Sequence, residues 1–482
     1  MAINYSQIAA GAYGRPDDLY LATIGMICTG LVFAFLASRV NGKAGVRLLT
    51  VLAVGVFLLF SSVALRGLLR SAGVTEYSTL ITAGGMFGAL VIVWLLSRLE
   101  PVRVLVSLAS VIALAMALTG LAPQLLAGAG SGDAELESSE GSAHALSGEN
   151  VYIVVVDEYA GENTLRDLGF DNRPFVEEMR KRGFSYDPKA RTNYIATHVS
   201  LMSILEGGYP VTEASDRYPD RSPFYPAAIN NGYAPRLVRD LAASGYSTHR
   251  ISNWWGRCSD AVFDNCIESP DTTQSYAIQT FLEPTIVSSL ASAVAPIVDV
   301  RRDAALEMFQ DQFSRLRQAS PYFMLIHHLS PHPPYSRNAD CTVRDVPESD
   351  KSLTPAERAP LFIAATQCVN AELIRTADLI AREDPTAIVI IFSDHGSDLQ
   401  VDWHAPIDGW SEAALAERTE ILSLLKLPDA CNGWIKEGLG QANIIRLVWG
   451  CLTRTPPEFL QEHTYVTAYE YHPEFGLVAK VR

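Results

Sequence analysis

Four long apolar runs in the first quarter of the chain, residues 19–37, 48–65, 77–96 and 104–126, set the first limit on what it can fold into. A helix needs about 20 predominantly apolar residues to cross ~30 Å of hydrocarbon, and each run is about that long. Core helices of a water-soluble domain are shorter and keep a polar face. Runs of this kind in succession, separated by charged turns, therefore predict a bundle of transmembrane helices. A cleavable signal peptide would lead into a polar mature chain, whereas here the first run leads into more of the same, so the N-terminus is expected to be retained.

Lysine and arginine near the helix ends set the orientation. Arg39, Lys43 and Arg47 lie in the first loop and Arg98 and Arg103 in the third, against Arg15, Arg66 and Arg70 on the other face. The bias places everything after the fourth helix outside the cytoplasm. Cysteine usage agrees. Of the seven cysteines, Cys28 falls inside the first apolar run, leaving Cys258, Cys266, Cys341, Cys368, Cys431 and Cys451. An even set suits an oxidising compartment. Sequence order suggests the local pairs Cys258 with Cys266, Cys341 with Cys368 and Cys431 with Cys451, although six cysteines formally allow fifteen connectivities. The net charge of −15 argues against a nucleic-acid partner, because phosphate neutralisation needs a basic face.

After residue 126 the composition shifts to Gly, Ala, Ser, Asp and Glu as far as residue 150, as in a flexible linker. The expected organisation is a transmembrane domain over 1–126, a linker over 127–150 and an extracytoplasmic catalytic domain over 151–482. That last domain opens with Val-Tyr-Ile-Val-Val-Val at 151–156, a continuous β-branched run typical of a strand buried on both faces. Residues 322–326 and 387–392 read the same way, and helical patterns at 174–182 and 360–382 lie between. Strands alternating with helices predict an α/β domain with a mostly parallel central sheet covered by helices. Such sheets bind ligands at the carboxyl ends of their strands. A nearly uncharged stretch at 276–300 could rest on a membrane surface or form a core helix with its loop.

At those strand ends stand the residues that carry chemistry. The first strand ends in Asp157-Glu158 and the late one in Ser393-Asp394-His395-Gly396. Carboxylate and imidazole side by side on a strand-end loop suit Zn²⁺ or Mn²⁺, and the glycine permits close backbone approach. The third strand runs into His327-His328-Leu-Ser-Pro331-His332-Pro-Pro-Tyr335, whose prolines fix His332 for phosphoryl binding or proton transfer. His327 and His328 read as structural residues at the end of a strand. His404, in a polar loop nine residues beyond His395, is a further candidate.

The segment from Thr192 through Thr197-His-Val-Ser200 to Tyr209-Pro210 resembles the nucleophile region of the alkaline phosphatase/sulfatase superfamily. Within it, the likeness is to the membrane-bound lipoteichoic acid synthase-like and phosphoethanolamine transferase-like branch. The terminal acid of the first strand, the His332-to-Tyr335 loop and the Ser393-to-Gly396 signature arrive in that branch's order. The resemblance implies an alkaline phosphatase-like fold in a bacterial cytoplasmic (inner) membrane protein with a periplasmic or extracellular catalytic domain. It implies Thr197 as nucleophile and one divalent ion, with a second left open, held by Asp157, Asp394, His395 and the Thr197 hydroxyl. That branch carries Glu where Asp157 stands, which makes Glu158 the alternative ligand. His332 and His404 would bind phosphate oxygens and move protons. The implied reaction transfers a phosphoethanolamine- or phosphoglycerol-type group from a phospholipid donor to a lipid or glycan acceptor through a phosphothreonine-type intermediate. A membrane-anchored phosphodiesterase, phosphatase or sulfatase-like hydrolase, and a non-catalytic membrane pseudoenzyme, are the alternatives. A sulfatase needs Pro two residues and Arg four residues after its nucleophile; Val199 and Leu201 occupy those places, which argues against sulfate ester hydrolysis.

Overall fold

The computed structural model describes residues 43–52, 54–55, 58, 78–106, 143–212, 225–230, 232–253, 256, 258, 262–267, 304–316, 321–344, 353–401, 409–467 and 478–480. Two compact units divide the chain, Met1–Ala134 with Gln274–Ile297 and Glu135–Thr273 with Val298–Arg482. In the first unit, residues 43–52 are helical and helix α1 spans Ser78–Leu96. Arg47 Nε donates to Ser97 Oγ (3.2 Å) and its Nη2 to the Trp94 carbonyl (3.1 Å), with the guanidinium 4.4 Å above the Trp94 ring. Phe87, Ile92, Leu95 and Leu105 are exposed. Among the described residues no helix is long and apolar enough to cross a membrane. The first expected span, at 19–37, and most of the second and fourth lie outside the described residues, as does the 276–300 stretch.

The second unit is built on a seven-stranded sheet. Its strands are β1 (Val151–Val156), β2 (Ser185–Tyr186), β3 (Ser247–Ile251), β4 (Asn265–Ile267), β5 (Tyr322–His328), β6 (Ile388–Ser393) and β7 (Ser423–Lys426), in the order β2-β7-β6-β1-β5-β3-β4. From β6 to β4 every pairing is parallel, while β7 runs antiparallel to both β6 and β2. The sheet is thus mixed rather than purely parallel. Only strands buried on both faces write a continuous apolar run, and those are β1, β5 and β6, the centre of the sheet; Ser423-Leu-Leu-Lys426 is too short to reveal its direction. A separate two-stranded antiparallel ribbon pairs β8 (Tyr465–Thr467) with β9 (Val478–Lys480).

Two-residue periodicity sends alternate side chains of the central strands into two cores. Tyr152, Val154, Val156, Met324, Ile326, Val389 and Ile391 pack on one face with helices α2 (Arg173–Lys181), α5 (Ala305–Leu316) and α6 (Pro355–Glu383). Val151, Ile153, Val155, Phe323, Leu325, Ile388, Ile390 and Phe392 pack on the other, against α3 (Thr197–Glu206), α4 (Arg236–Ala243) and α8 (Gln441–Thr453). Each fully buried Val, Ile, Leu or Phe contributes roughly 1.5–3 kcal/mol, so β1, β5 and β6, buried at every residue, form a firm base on which a site could be mounted. Helix α6 begins at Pro355, earlier than its apolar pattern, because Thr354 and Glu357 form a reciprocal capping box. Disulfides join Cys258–Cys266, Cys341–Cys368 and Cys431–Cys451, the pairs that sequence order suggested.

Candidate active site

The same alternation aims particular side chains at one spot. Val155, Leu325 and Phe392 belong to the face covered by α3, so two residues further along each strand Asp157, His327 and Asp394 emerge on that face. Asp394 is wholly buried and held at both ends. Its Oδ1 accepts the backbone N–H groups of His395 (2.9 Å) and Glu158 (3.2 Å), and its carbonyl accepts Thr192 Oγ1 (2.6 Å), Ser200 Oγ (2.7 Å) and Gln441 Nε2 (2.7 Å). Oδ2 faces the site, 3.1 Å from His395 Nε2. Ser200, part of the Thr-x-Val-Ser pattern, therefore fixes the loop that presents Asp394.

His395 Nδ1 lies 3.1 Å from the Gly396 carbonyl, an acceptor, so this nitrogen carries the proton and Nε2 turns its lone pair inward. Burial and then the Arg418 guanidinium push this imidazole well below its usual range, which keeps it neutral. Around Nε2 stand Thr197 Oγ1 at 2.8 Å and Asp157 Oδ1 at 3.8 Å. Gly396 is required here because a Cβ would sit 1.9 Å from the Glu417 carbonyl.

Thr197 opens α3. Ala196 before it is extended and gives no side-chain cap, so the first-turn N–H groups and the positive end of the helix dipole lie beside the half-buried threonine hydroxyl.

Ligand atoms of Asp157, Asp394 and His395 lie within 4.8 Å of one another, and all these residues are buried. Burial, and then the neighbouring Asp157 carboxylate, push Asp394 up to about 8. Two carboxylates crowded into a buried site beside an inward imidazole lone pair fit a divalent cation, whose charge would reverse that repulsion. The donor set of oxygens and one nitrogen suits Zn²⁺ or Mn²⁺.

The sequence left Asp157 and Glu158 as competitors. Asp157 stands in the group, whereas Glu158, in a left-handed backbone conformation (φ 60°), turns away to pair with Arg418 Nη1 at 2.8 Å. Consecutive residues leaving a strand diverge, so one alone could join. His332, on the loop carrying cis peptides at Ser330–Pro331 and Pro333–Pro334, keeps 29% of its side chain exposed, with Nε2 3.9 Å from Glu158 Oε1. His404 lies outside the described residues.

Two residues were missed. His327 read as structural, yet its Nε2 lies 3.5 Å from Asp157 Oδ2, while His328 points through the sheet to Glu372 of α6 (3.3 Å). Strand parity separates the two histidines but cannot say which face is the site. Arg418, on α7 (Glu412–Thr419), donates to Glu158, to the Gly396 carbonyl (2.8 Å) and to the Ile195 carbonyl (3.0 Å), tying together the segments after β1, before α3 and after β6. Within Glu-Arg-Thr of a short helix it looks like a solvated surface residue, and no sequence signal marks it.

The second unit is thus an α/β domain in which a threonine at a helix start meets a buried strand-end carboxylate–histidine group. The sulfatase family model matches residues 149–421, more than half of the chain, and the chain belongs to that family. No curated protein matches the sequence. Similar solved structures include the C-terminal periplasmic domain of EcEptC from Escherichia coli (13% identity, 71% of this chain and 94% of that one, TM-score 0.44). Others are the soluble domain of lipooligosaccharide phosphoethanolamine transferase A from Neisseria meningitidis (14%, 65% and 90%, 0.40) and the lipoteichoic acid synthase LtaP from Listeria monocytogenes (13%, 68% and 78%, 0.39).

Proposed function

We propose that this chain is a multi-pass membrane enzyme of the bacterial cytoplasmic membrane, with its second unit outside the cytoplasm. On this reading it transfers a phospho-alcohol group, of the phosphoethanolamine or phosphoglycerol type, from a phospholipid donor to a lipid or glycan acceptor. The observation that carries the reading is the approach of Thr197 Oγ1 to 2.8 Å from His395 Nε2 within the Asp157–Asp394–His395 group. Membrane attachment is supported by the apolar runs, by the exposed apolar side chains of α1 and by the disulfides. Anchoring raises the encounter rate with lipid-linked substrates.

Asp157, Asp394, His395 and Thr197 would hold the ion, which when bound lowers the pKa of the threonine hydroxyl and screens phosphoryl charge. Thr197, its hydroxyl proton released to solvent when the ion binds, attacks phosphorus through Oγ1 in line with the leaving alkoxide, and the α3 N–H groups face the developing charge. The partly exposed His332 gives a proton to the departing alkoxide and takes one from the acceptor hydroxyl, which then displaces Thr197. Arg418 and Ser200 hold the reacting segments in place.

The test incubates full-length protein in detergent with head-group-labelled phospholipids and searches the Thr197 peptide by mass spectrometry. The modified peptide should appear in wild type, vanish in Thr197→Ala and after chelation, and return with Zn²⁺ or Mn²⁺. Equal labelling of wild type and Thr197→Ala would defeat the nucleophile assignment. Label passing only to water would favour the phosphodiesterase reading.

A further inference from the structure

The Asp157 carboxylate divides its oxygens between two histidines. Oδ1 faces His395 Nε2 at 3.8 Å, inside the metal-ligand group, while Oδ2 faces His327 Nε2 at 3.5 Å, from a residue outside that group. His327 is 1% exposed and Asp157 4% exposed, so the pair meets in a low-dielectric site where the direction of a single N–H matters.

That direction is set one residue further out. Asn253 follows β3, and its side-chain amide is oriented unambiguously: Oδ1 accepts the Gly256 backbone N–H (2.9 Å) and Nδ2 donates to the His327 carbonyl (2.8 Å). The same Nδ2 lies 3.3 Å from His327 Nδ1. An amide nitrogen donates and cannot accept, so Nδ1 presents its lone pair and the neutral imidazole carries its proton on Nε2, the nitrogen that stands 3.5 Å from Asp157 Oδ2. Tyr225 packs edge-on against the ring (centroids 6.1 Å apart) and limits its rotation.

We propose that Asn253 and His327 are positioning residues that present Asp157 to the divalent cation, Asn253 by fixing the His327 tautomer and His327 by holding Oδ2 so that Oδ1 faces inward. This inference rests on the metal-site reading above. It also gives a physical account of how the shorter aspartate serves where the family resemblance implies glutamate: a short carboxylate with a free rotamer would reach a metal poorly, and one drawn toward an N–H 3.5 Å away would be turned in the needed direction. Partners of this kind orient a ligand and tune its basicity, and losing them typically weakens metal affinity 10–100-fold.

The experiment titrates Mn²⁺ into metal-stripped full-length protein in detergent by calorimetry, alongside thermal midpoints of the metal-free forms. His327→Leu removes the donor and should weaken Mn²⁺ binding by about 10–100-fold, whereas His327→Gln keeps an N–H in reach of Oδ2 and should stay within about threefold. Asn253→Asp is isosteric but offers Nδ1 an acceptor, reversing the tautomer; it should weaken binding by about tenfold or more. The Asn253 variant also keeps the test open should His327→Leu fail to fold. Wild-type affinity in both His327→Leu and Asn253→Asp overturns the inference, as does a lowered midpoint with unchanged affinity, which would mark a purely structural role. Asp394→Asn separates the two readings: if it binds Mn²⁺ as well as wild type, the metal site itself is misassigned.

Discussion

Arg418→Met should be the most disruptive single change in the catalytic unit that leaves every proposed metal ligand in place. The guanidinium is buried and donates to Glu158 Oε1, to the Gly396 carbonyl and to the Ile195 carbonyl, with Nη2 3.3 Å from His395 Nε2. Methionine fills much of the volume but donates nothing. Breaking a buried ion pair from one side costs about 3–5 kcal/mol, because the remaining charge stays buried and uncompensated. The carbonyls that lose donors add about 1 kcal/mol each. The expected penalty is about 5–7 kcal/mol, out of a total stability that for most proteins is about 5–15 kcal/mol. In a unit this large it should lower the thermal midpoint by roughly 10–20 °C, read by circular dichroism on full-length protein in detergent. Much of that loss belongs to the orphaned Glu158 carboxylate, which burial, and then Asp398, already push above the usual range. Adding Glu158→Gln to Arg418→Met should therefore restore part of the midpoint instead of lowering it further. A penalty under ~1 kcal/mol for Arg418→Met, or purely additive losses in the double variant, would refute the reasoning.

Gly396→Ala should prevent stable folding or abolish Thr197 modification, because the added Cβ would lie 1.9 Å from the Glu417 carbonyl; a soluble variant with wild-type labelling would contradict this. Burial lowers the His249 pKa, so the folded state favours its neutral form. Its contribution is fully present above the unfolded value of ~6.5 and is lost as pH falls below it, and His249→Phe should flatten that part of a stability-versus-pH curve measured by urea melts. Replacing Cys341 and Cys368 by alanine opens a loop whose ends are 27 residues apart and should cost about 3–4 kcal/mol by chain entropy, read as a shift in urea midpoint.

Much of this molecule could be read from the chain. The runs at 151–156, 322–326 and 387–392 became β1, β5 and β6, adjacent at the centre of the sheet, because a strand buried on both faces has no freedom to be polar. A helix start came through at Pro174, where proline writes it, whereas the capping box of Thr354 with Glu357 starts α6 five residues before the apolar pattern that revealed it. Asp394-His395-Gly396 stood out as a candidate because carboxylate and imidazole sit side by side where a buried strand ends, and the structure places both side chains with Asp157. The direction of β7 was not visible, since four residues ending in Lys426 carry no mark of which neighbour they will join.

What the sequence determined by itself was therefore the inventory: apolar runs of membrane-spanning length, the strands that make a central sheet and the carboxylate and imidazole groups at strand ends, with Thr197 singled out by resemblance. Only the tertiary structure decided which members of that inventory meet. It set Asp157 beside Asp394 and His395 while turning Glu158 to Arg418, and it put His327 near Asp157 while His328 faces Glu372. Alternation along a strand fixes that neighbours point to opposite faces, but which face becomes the site depends on where α3 packs, and that is settled by contacts between residues far apart in the chain.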